Sequence, residues 1–138
     1  MYFDWISTEK PIRVRAGIAK PDIVVVLDPS LITIAGVTSG LKDGGLLVIN
    51  SGKSYQDIQT EFGDKWQLAV IDATKIAREE LGVPIVNTTM AGALLKARGL
   101  VAVESMIEPI KERFGRLAEK NINAMKRAYE ETTLKESA

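Results

Sequence analysis

PDIVVVLDPSLITIAGVTSGLKDGGLLVINS, residues Pro21–Ser51, is the clearest statement of fold class in this chain. It holds two short apolar runs, Ile23–Leu27 and Leu46–Ile49. Each is followed at once by a small polar tip, Asp28-Pro29-Ser30 and Asn50-Ser51-Gly52. Val- and Ile-rich runs of this length read as strands buried on both faces, the pattern of a parallel sheet. In such sheets the residues that meet ligands lie just past the carboxyl ends of the strands. Asp28, Ser30, Asn50 and Ser51 are therefore the first candidate site residues.

On either side of this stretch the chain alternates between strand and helix patterns. Tyr2–Ser7 and Ile12–Ala16 flank the turn-like cluster Thr8-Glu9-Lys10-Pro11 and read as a β-hairpin. Pro29 and Ser30 can begin a short helix, and Val37–Leu41 reads as another, stopped near Gly44-Gly45. Ser54 is placed to cap a helix over Tyr55–Phe62, ended by Gly63. Trp66–Ile71 is the next strand. Asp72 caps Ala73–Leu81, with Gly82 at its end and Pro84 just beyond. Pro84–Asn87 reads as a short strand or extended segment, and Thr88–Arg98 as a helix rich in small residues.

Ser105 with Glu108 has the spacing of a capping box opening Met106–Phe114. Leu117–Glu131 is the longest helix, with Leu117, Ile122, Met125 and Tyr129 as its expected buried stripe. The tail Thr132–Ala138 is polar and is expected to fray. The whole implies one α/β domain over residues 1–138: a three-layer arrangement with a mostly parallel central sheet and an N-terminal hairpin.

Composition excludes much chemistry. Lys plus Arg number 18 and Asp plus Glu 18, so no basic field draws the chain to nucleic acid or to an anionic membrane. No apolar run approaches the roughly 20 residues that span a bilayer. Met1-Tyr-Phe-Asp-Trp lacks the basic start and apolar core of a signal peptide, and the expected compartment is the cytoplasm. The sequence has no Cys and no His. Thiol nucleophiles, thiolate ligation of Fe–S clusters and the commonest general base are thus all absent. Catalysis by this chain alone would rest on Asp, Glu, Lys, Tyr or Ser. Neither GxGxxG nor GxxxxGK[ST] occurs.

Six segments in order carry a resemblance: KPIRVR at Lys10–Arg15, PDIVVVLDPSL at Pro21–Leu31, GLKDGGLLVIN at Gly40–Asn50, DATKIAREELGVPIVNT at Asp72–Thr88, MAGALLKARGLVAVES at Met90–Ser105 and EKNINAMKRAYEE at Glu119–Glu131. Together they resemble the gamma subunit, or gamma domain, of the 2-oxoacid:ferredoxin oxidoreductases, most closely the pyruvate synthase branch. Members of that family usually carry an amino-terminal strand and helix with a GxGGQG-type loop ahead of the hairpin. This chain starts about where the hairpin begins, which implies a gamma-type domain shortened at its N-terminus.

The resemblance implies a supporting role in a complex that converts a 2-oxoacid and coenzyme A to acyl-CoA and carbon dioxide, with ferredoxin taking the electrons. Thiamine diphosphate and Fe–S clusters would sit on partner chains of the alpha, beta and delta types. This chain would hold no metal and no catalytic residue, and would serve assembly or border the coenzyme A channel. The 2-oxoglutarate and branched-chain branches are close alternatives.

Each candidate also has a plainer role. Asp28-Pro29-Ser30 is good helix-start chemistry, and Asn50-Ser51-Gly52 is ordinary turn chemistry. Asn87, Met90 and Gly92 surround a helix start able to face coenzyme A or an adjoining subunit, an assignment resting mainly on the resemblance. Capping explains Asn87 or Thr88 equally, and packing explains Gly92. Tyr2, Phe3 and Trp5 suit a partner surface. Arg13 and Arg15 suit either a coenzyme phosphate or a solvated strand edge. Two other classes stay open: a stand-alone coenzyme- or nucleotide-binding domain, and a small enzyme using Asp28 or Asp72 as base.

Overall fold

A computed structural model describes residues 19–31, 36 and 38–134. The expected hairpin, with Tyr2, Phe3, Trp5, Arg13 and Arg15, lies outside the described residues. So do Val37 and residues 135–138.

The described sheet has four strands in the order β1 (Ile23–Val26), β2 (Leu46–Asn50), β3 (Gln67–Ile71) and β4 (Thr133–Leu134). The first three run parallel, with Val25 beside Val48 and Val48 beside Ala69; β4 is antiparallel to β3, with Thr133 beside Val70. All five residues of β2 are buried, as expected for a central strand covered on both faces.

The faces divide by the alternation of side chains along each strand. Leu47, Ile49, Leu68 and Val70 point to one side and pack with Ile58 of α1 (Tyr55–Phe62). Leu46, Val48, Ala69 and Ile71 point to the other. There they meet Ala73 and Ile76 of α2 (Ala73–Leu81), Met90 and Ala93 of α3 (Asn87–Ala97), and Ala124 and Ala128 of α5 (Ala118–Glu131). A smaller cluster joins Ile110 of α4 (Ile107–Phe114) to Ile122 and Met125. This is the mixed, mostly parallel three-layer arrangement that the strand pattern implies.

The helix boundaries follow their caps. Ser54 Oγ accepts from the Asp57 N–H at 3.2 Å, and Gly63, at φ +76°, donates its N–H to Gln59 O at 2.6 Å. Asp72 Oδ1 accepts from the Lys75 N–H at 3.1 Å, and Gly82 closes α2 at φ +78°. Positive φ at both ends calls for glycine.

Tertiary structure overrides several local expectations. Residues 38–40 form a turn rather than part of a helix, with the Leu41 N–H donating to Thr38 O at 3.0 Å. Gly40 stands at φ +78°, and a Cβ there would fall 1.9 Å from the Ala19 carbonyl oxygen. Pro84–Val86 is irregular and pairs with no strand, while Asn87 already belongs to α3. Ser105 and Glu108 form no capping box, because the chain enters α4 through a 3-10 turn, Val103–Met106, and no side chain caps the helix. Leu117 and Tyr129 do not join the buried stripe: they are 57% and 36% exposed. The stripe is Ala118, Asn121, Ile122, Ala124, Met125 and Ala128, and the Tyr129 ring instead lies 5.2 Å from the Lys96 ammonium. The start of the tail does not fray. Thr132 is buried, its hydroxyl donates to Ala128 O at 2.6 Å, and the next two residues make β4.

Candidate functional site

At the carboxyl edge of the sheet, β2 sends the chain to α1 on one face and β3 sends it to α2 on the other. Adjacent parallel strands whose connections part to opposite faces leave a crevice between their ends. Such a cleft, of about 240 Å³, is found there. Its walls are Ser51, Gly52, Lys53, Ser54 and Tyr55 from β2 into α1, and Val70, Ile71, Asp72, Lys75 and Ile76 from β3 into α2. Glu131 and Thr133, where α5 passes into β4, complete it.

Two lysines, two carboxylates, three hydroxyl side chains of Ser and Thr, and a phenol therefore share one opening. Ser51 is buried, and its Oγ accepts from the Lys53 N–H at 3.1 Å. The Lys53 ammonium lies 3.7 Å from Glu61. Burial, assisted by the charge of Asp64, raises the Tyr55 phenol above its ordinary pKa, so it stays a protonated donor. Gly52 lies beside Asp72, whose Oδ2 would be in ordinary contact, at 3.4 Å, with a Cβ placed there.

Arg127 fixes Glu131. Its Nε donates to the Glu131 carboxylate, and its Nη1 pairs with Glu79 and with Glu80, the latter at 3.3 Å. Glu79 first, and then Glu131, hold the guanidinium pKa above its ordinary value. One side chain thus joins the end of α5 to α2 and sets where Glu131 stands in the cleft wall.

Of the seven candidate residues, only Ser51 lines this cleft. Asn50 is 1% exposed, and its amide is fully engaged. Nδ2 donates to Leu27 O and to Thr74 Oγ1, both at 2.9 Å. Oδ1 accepts from the Ala73 N–H at 2.9 Å and the Thr74 N–H at 3.3 Å. It ties the end of β1 to the start of α2 rather than offering itself to a ligand. Asp28 and Ser30 are exposed beyond β1. Asp28 Oδ1 accepts from the Ser30 N–H at 2.9 Å and the Ser30 hydroxyl at 2.8 Å, bonds that hold its pKa below the ordinary aspartate value. This is the helix-start geometry, on the same sheet edge as the cleft.

Asn87, Met90 and Gly92 lie apart from the cleft, on α3. Asn87 is exposed, and its Oδ1 accepts from the Thr88 N–H at 2.9 Å. Met90 is buried in the core between α3 and the sheet. Gly92 faces α5, where a Cβ would fall 2.1 Å from Met125 O, so its role in the chain is close packing.

Lys53, Tyr55, Asp72, Lys75, Glu131 and Thr133 were not singled out from the sequence as one site. The signal for four of them is in the sequence: Ser54 and Asp72 are caps following consecutive strands, which places both helix starts, and Lys53, Tyr55, Asp72 and Lys75 with them, on one edge. Glu131 and Thr133 arrive only through the antiparallel return of β4.

Among the described residues no group of three or more Asp or Glu side chains could hold a metal ion. No described helix is long and apolar enough to cross a membrane. The cleft presents ammonium, hydroxyl and carboxylate groups to whatever enters it.

The family model for pyruvate ferredoxin/flavodoxin oxidoreductase matches residues 1–131. The "pyruvate/ketoisovalerate oxidoreductases common subunit gamma" of Pyrococcus furiosus is 50% identical over 125 residues, covering 89% of this chain and 68% of that protein. The "pyruvate synthase subunit PorC" of Methanothermobacter thermautotrophicus is 46% identical over 124 residues, covering 89% of this chain and 66% of that one. The crystal structure of the pyruvate oxidoreductase subunit PORC of Thermotoga maritima superimposes with a TM-score of 0.77 at 34% identity, over 86% of this chain and 67% of that one. With a matching fold, a matching family model and relatives of up to half-identical sequence, the chain belongs to the pyruvate ferredoxin/flavodoxin oxidoreductase family.

Proposed function

We propose that this chain is the gamma subunit of a multisubunit 2-oxoacid:ferredoxin oxidoreductase, acting as pyruvate synthase. The reaction converts pyruvate, coenzyme A and oxidised ferredoxin to acetyl-CoA, carbon dioxide and reduced ferredoxin. The observation that carries this reading is the collinear match of nearly the whole chain to gamma and PorC subunits at 43–50% identity in several archaea.

The residues present support a division of roles within that enzyme. A chain with neither Cys nor His has no thiolate for a cluster and no imidazole for a proton relay. Thiamine diphosphate, which supplies the electron sink for decarboxylation, and the Fe–S clusters belong on alpha, beta and delta type partners in the cytoplasm. This chain's own part is to assemble with them and to border the coenzyme A path. The carboxyl edge, comprising the Asp28–Ser30 tip and the Ser51 cleft, is the part of the surface whose lysines and hydroxyls suit a polar, phosphate-bearing coenzyme. Asn87 at the exposed start of α3 suits contact with an adjoining subunit, with Met90 and Gly92 holding that helix in place.

A second substrate has a specific observation in its favour. The relatives in Pyrococcus and Thermococcus are named as a gamma subunit common to pyruvate and ketoisovalerate oxidoreductases. Tagged purification from the native host, with mass spectrometry of the partners and ferredoxin-reduction assays on pyruvate and 2-ketoisovalerate, tests both. One partner set and pyruvate activity fit a dedicated subunit. Two separable partner sets, one for each substrate, fit a shared one. A chain that purifies without thiamine-binding or cluster-bearing partners overturns the assignment.

A further inference from the structure

The two polar tips of the carboxyl edge come from different strands, and a single buried side chain sets their spacing. Asn50 donates to the last β1-side carbonyl before the Asp28 tip, Leu27 O, while its oxygen receives the first two N–H groups of α2. Because the amide is 1% exposed and bonded on every side, it cannot shift without breaking one of these bonds. The Asp28–Ser30 tip and the α2 wall of the cleft therefore move together or not at all.

From this geometry we propose that Asn50 is a positioning residue for the enzyme's reaction: it holds the Asp28–Ser30 tip against the cleft edge so that both meet coenzyme A as one surface. The proposal rests on the reading above that this edge borders the coenzyme A path.

Asn50→Asp separates the two halves of the tie. The carboxylate still accepts from Ala73 and Thr74, and the Thr74 hydroxyl can turn to donate to it, but it has nothing to donate to Leu27 O. A carboxylate also suits a helix start. The β1 tip is released while α2 stays capped.

The test is made in the assembled complex, measuring kcat and the apparent KM for coenzyme A and for pyruvate. Asn50→Asp is expected to raise KM for coenzyme A about fivefold, the factor for one lost hydrogen bond, with KM for pyruvate and kcat unchanged. Thr74→Val, which cuts the bond at the α2 end only, is expected to leave all three at wild-type values. Asp28→Ala disorders the same tip from its exposed side and is expected to raise KM for coenzyme A as well; it decides the matter if Asn50→Asp does not assemble. An unchanged KM for coenzyme A in both Asn50→Asp and Asp28→Ala would overturn the proposal. So would equal losses in every parameter, or a Thr74→Val defect matching that of Asn50→Asp. A wild-type complex without 2-oxoacid-dependent ferredoxin reduction would sink the underlying function instead, before any variant is made.

Discussion

The end of β2 and the start of α3 look alike in sequence, Asn-Ser-Gly in one and Asn-Thr-Thr in the other, yet they do opposite things. Asn50 is buried with four hydrogen bonds linking three segments. Asn87 is exposed, and its side chain reaches only the N–H of its neighbour. The residues that follow differ in another way: Ser51, though buried, lines a cleft, whereas Thr89 is fully buried with a hydroxyl that has no partner among the described residues. A polar residue at an element end therefore says little until its partners are known. Where every donor and acceptor is matched it braces the fold, and where it faces a cleft it is free to bind.

The sharpest way to break this contrast is to truncate both asparagines. Asn50→Ala leaves the Leu27 carbonyl and the Ala73 and Thr74 N–H groups buried without partners. Loss of stability of about 3 kcal/mol is expected, each orphaned group costing about 1 kcal/mol or more. Asn87→Ala, at an exposed site with one local bond, is expected to change stability by no more than about 0.5 kcal/mol. Urea unfolding of the two variants side by side measures both, and equal losses would refute the distinction. Gly92→Ala comes next. Its methyl group would fall 2.1 Å from Met125 O, so α3 and α5 must part, at an expected cost of about 2 kcal/mol.

These cases also mark what the sequence could and could not disclose. Ser54 with Gly63 and Asp72 with Gly82 bound their helices as read, because a cap acts within one turn of itself. The closeness of Gly92 to another backbone was legible in its small neighbours, although the identity of that backbone, α5, was not. The local pattern over 37–41 suggests a helix, but 38–41 form a turn because Gly40 answers to Ala19, a residue 21 positions earlier, which no local pattern shows. Leu117 and Tyr129 were expected inside on apolar character alone. The register of α5 instead turns Ala124, Met125 and Ala128 toward the core. The two-residue β4 was invisible for the same reason: its pairing with β3 supplies what its own sequence lacks. Of the site, Ser51 and the two helix starts are readable from the strand ends and their caps, while Glu131 and Thr133 join it only through topology.

Thr89 sharpens the comparison from the other side. If a buried polar group braces the fold only when matched, removing an unmatched one should help. Thr89→Val keeps the shape and deletes the orphan hydroxyl. A gain of about 1 kcal/mol is expected, read as a higher thermal midpoint; a loss would show that the hydroxyl has a partner after all.

The smallest expected effect is at the exposed tip beyond β1. Asp28 owes its lowered pKa first to the Ser30 N–H and then to the Ser30 hydroxyl. A carboxylate with a depressed pKa stabilises the folded state above its unfolded pKa, and that contribution fades as pH falls through the folded value. Ser30→Ala removes the hydroxyl and keeps the N–H, so the Asp28 pKa should rise part of the way toward that of an ordinary aspartate, as followed by NMR of its carboxyl carbon. Full solvent exposure makes the accompanying change in acid stability slight. A pKa unmoved by Ser30→Ala would mean that the N–H alone sets it, and that the tip is organised by backbone geometry without help from its hydroxyl.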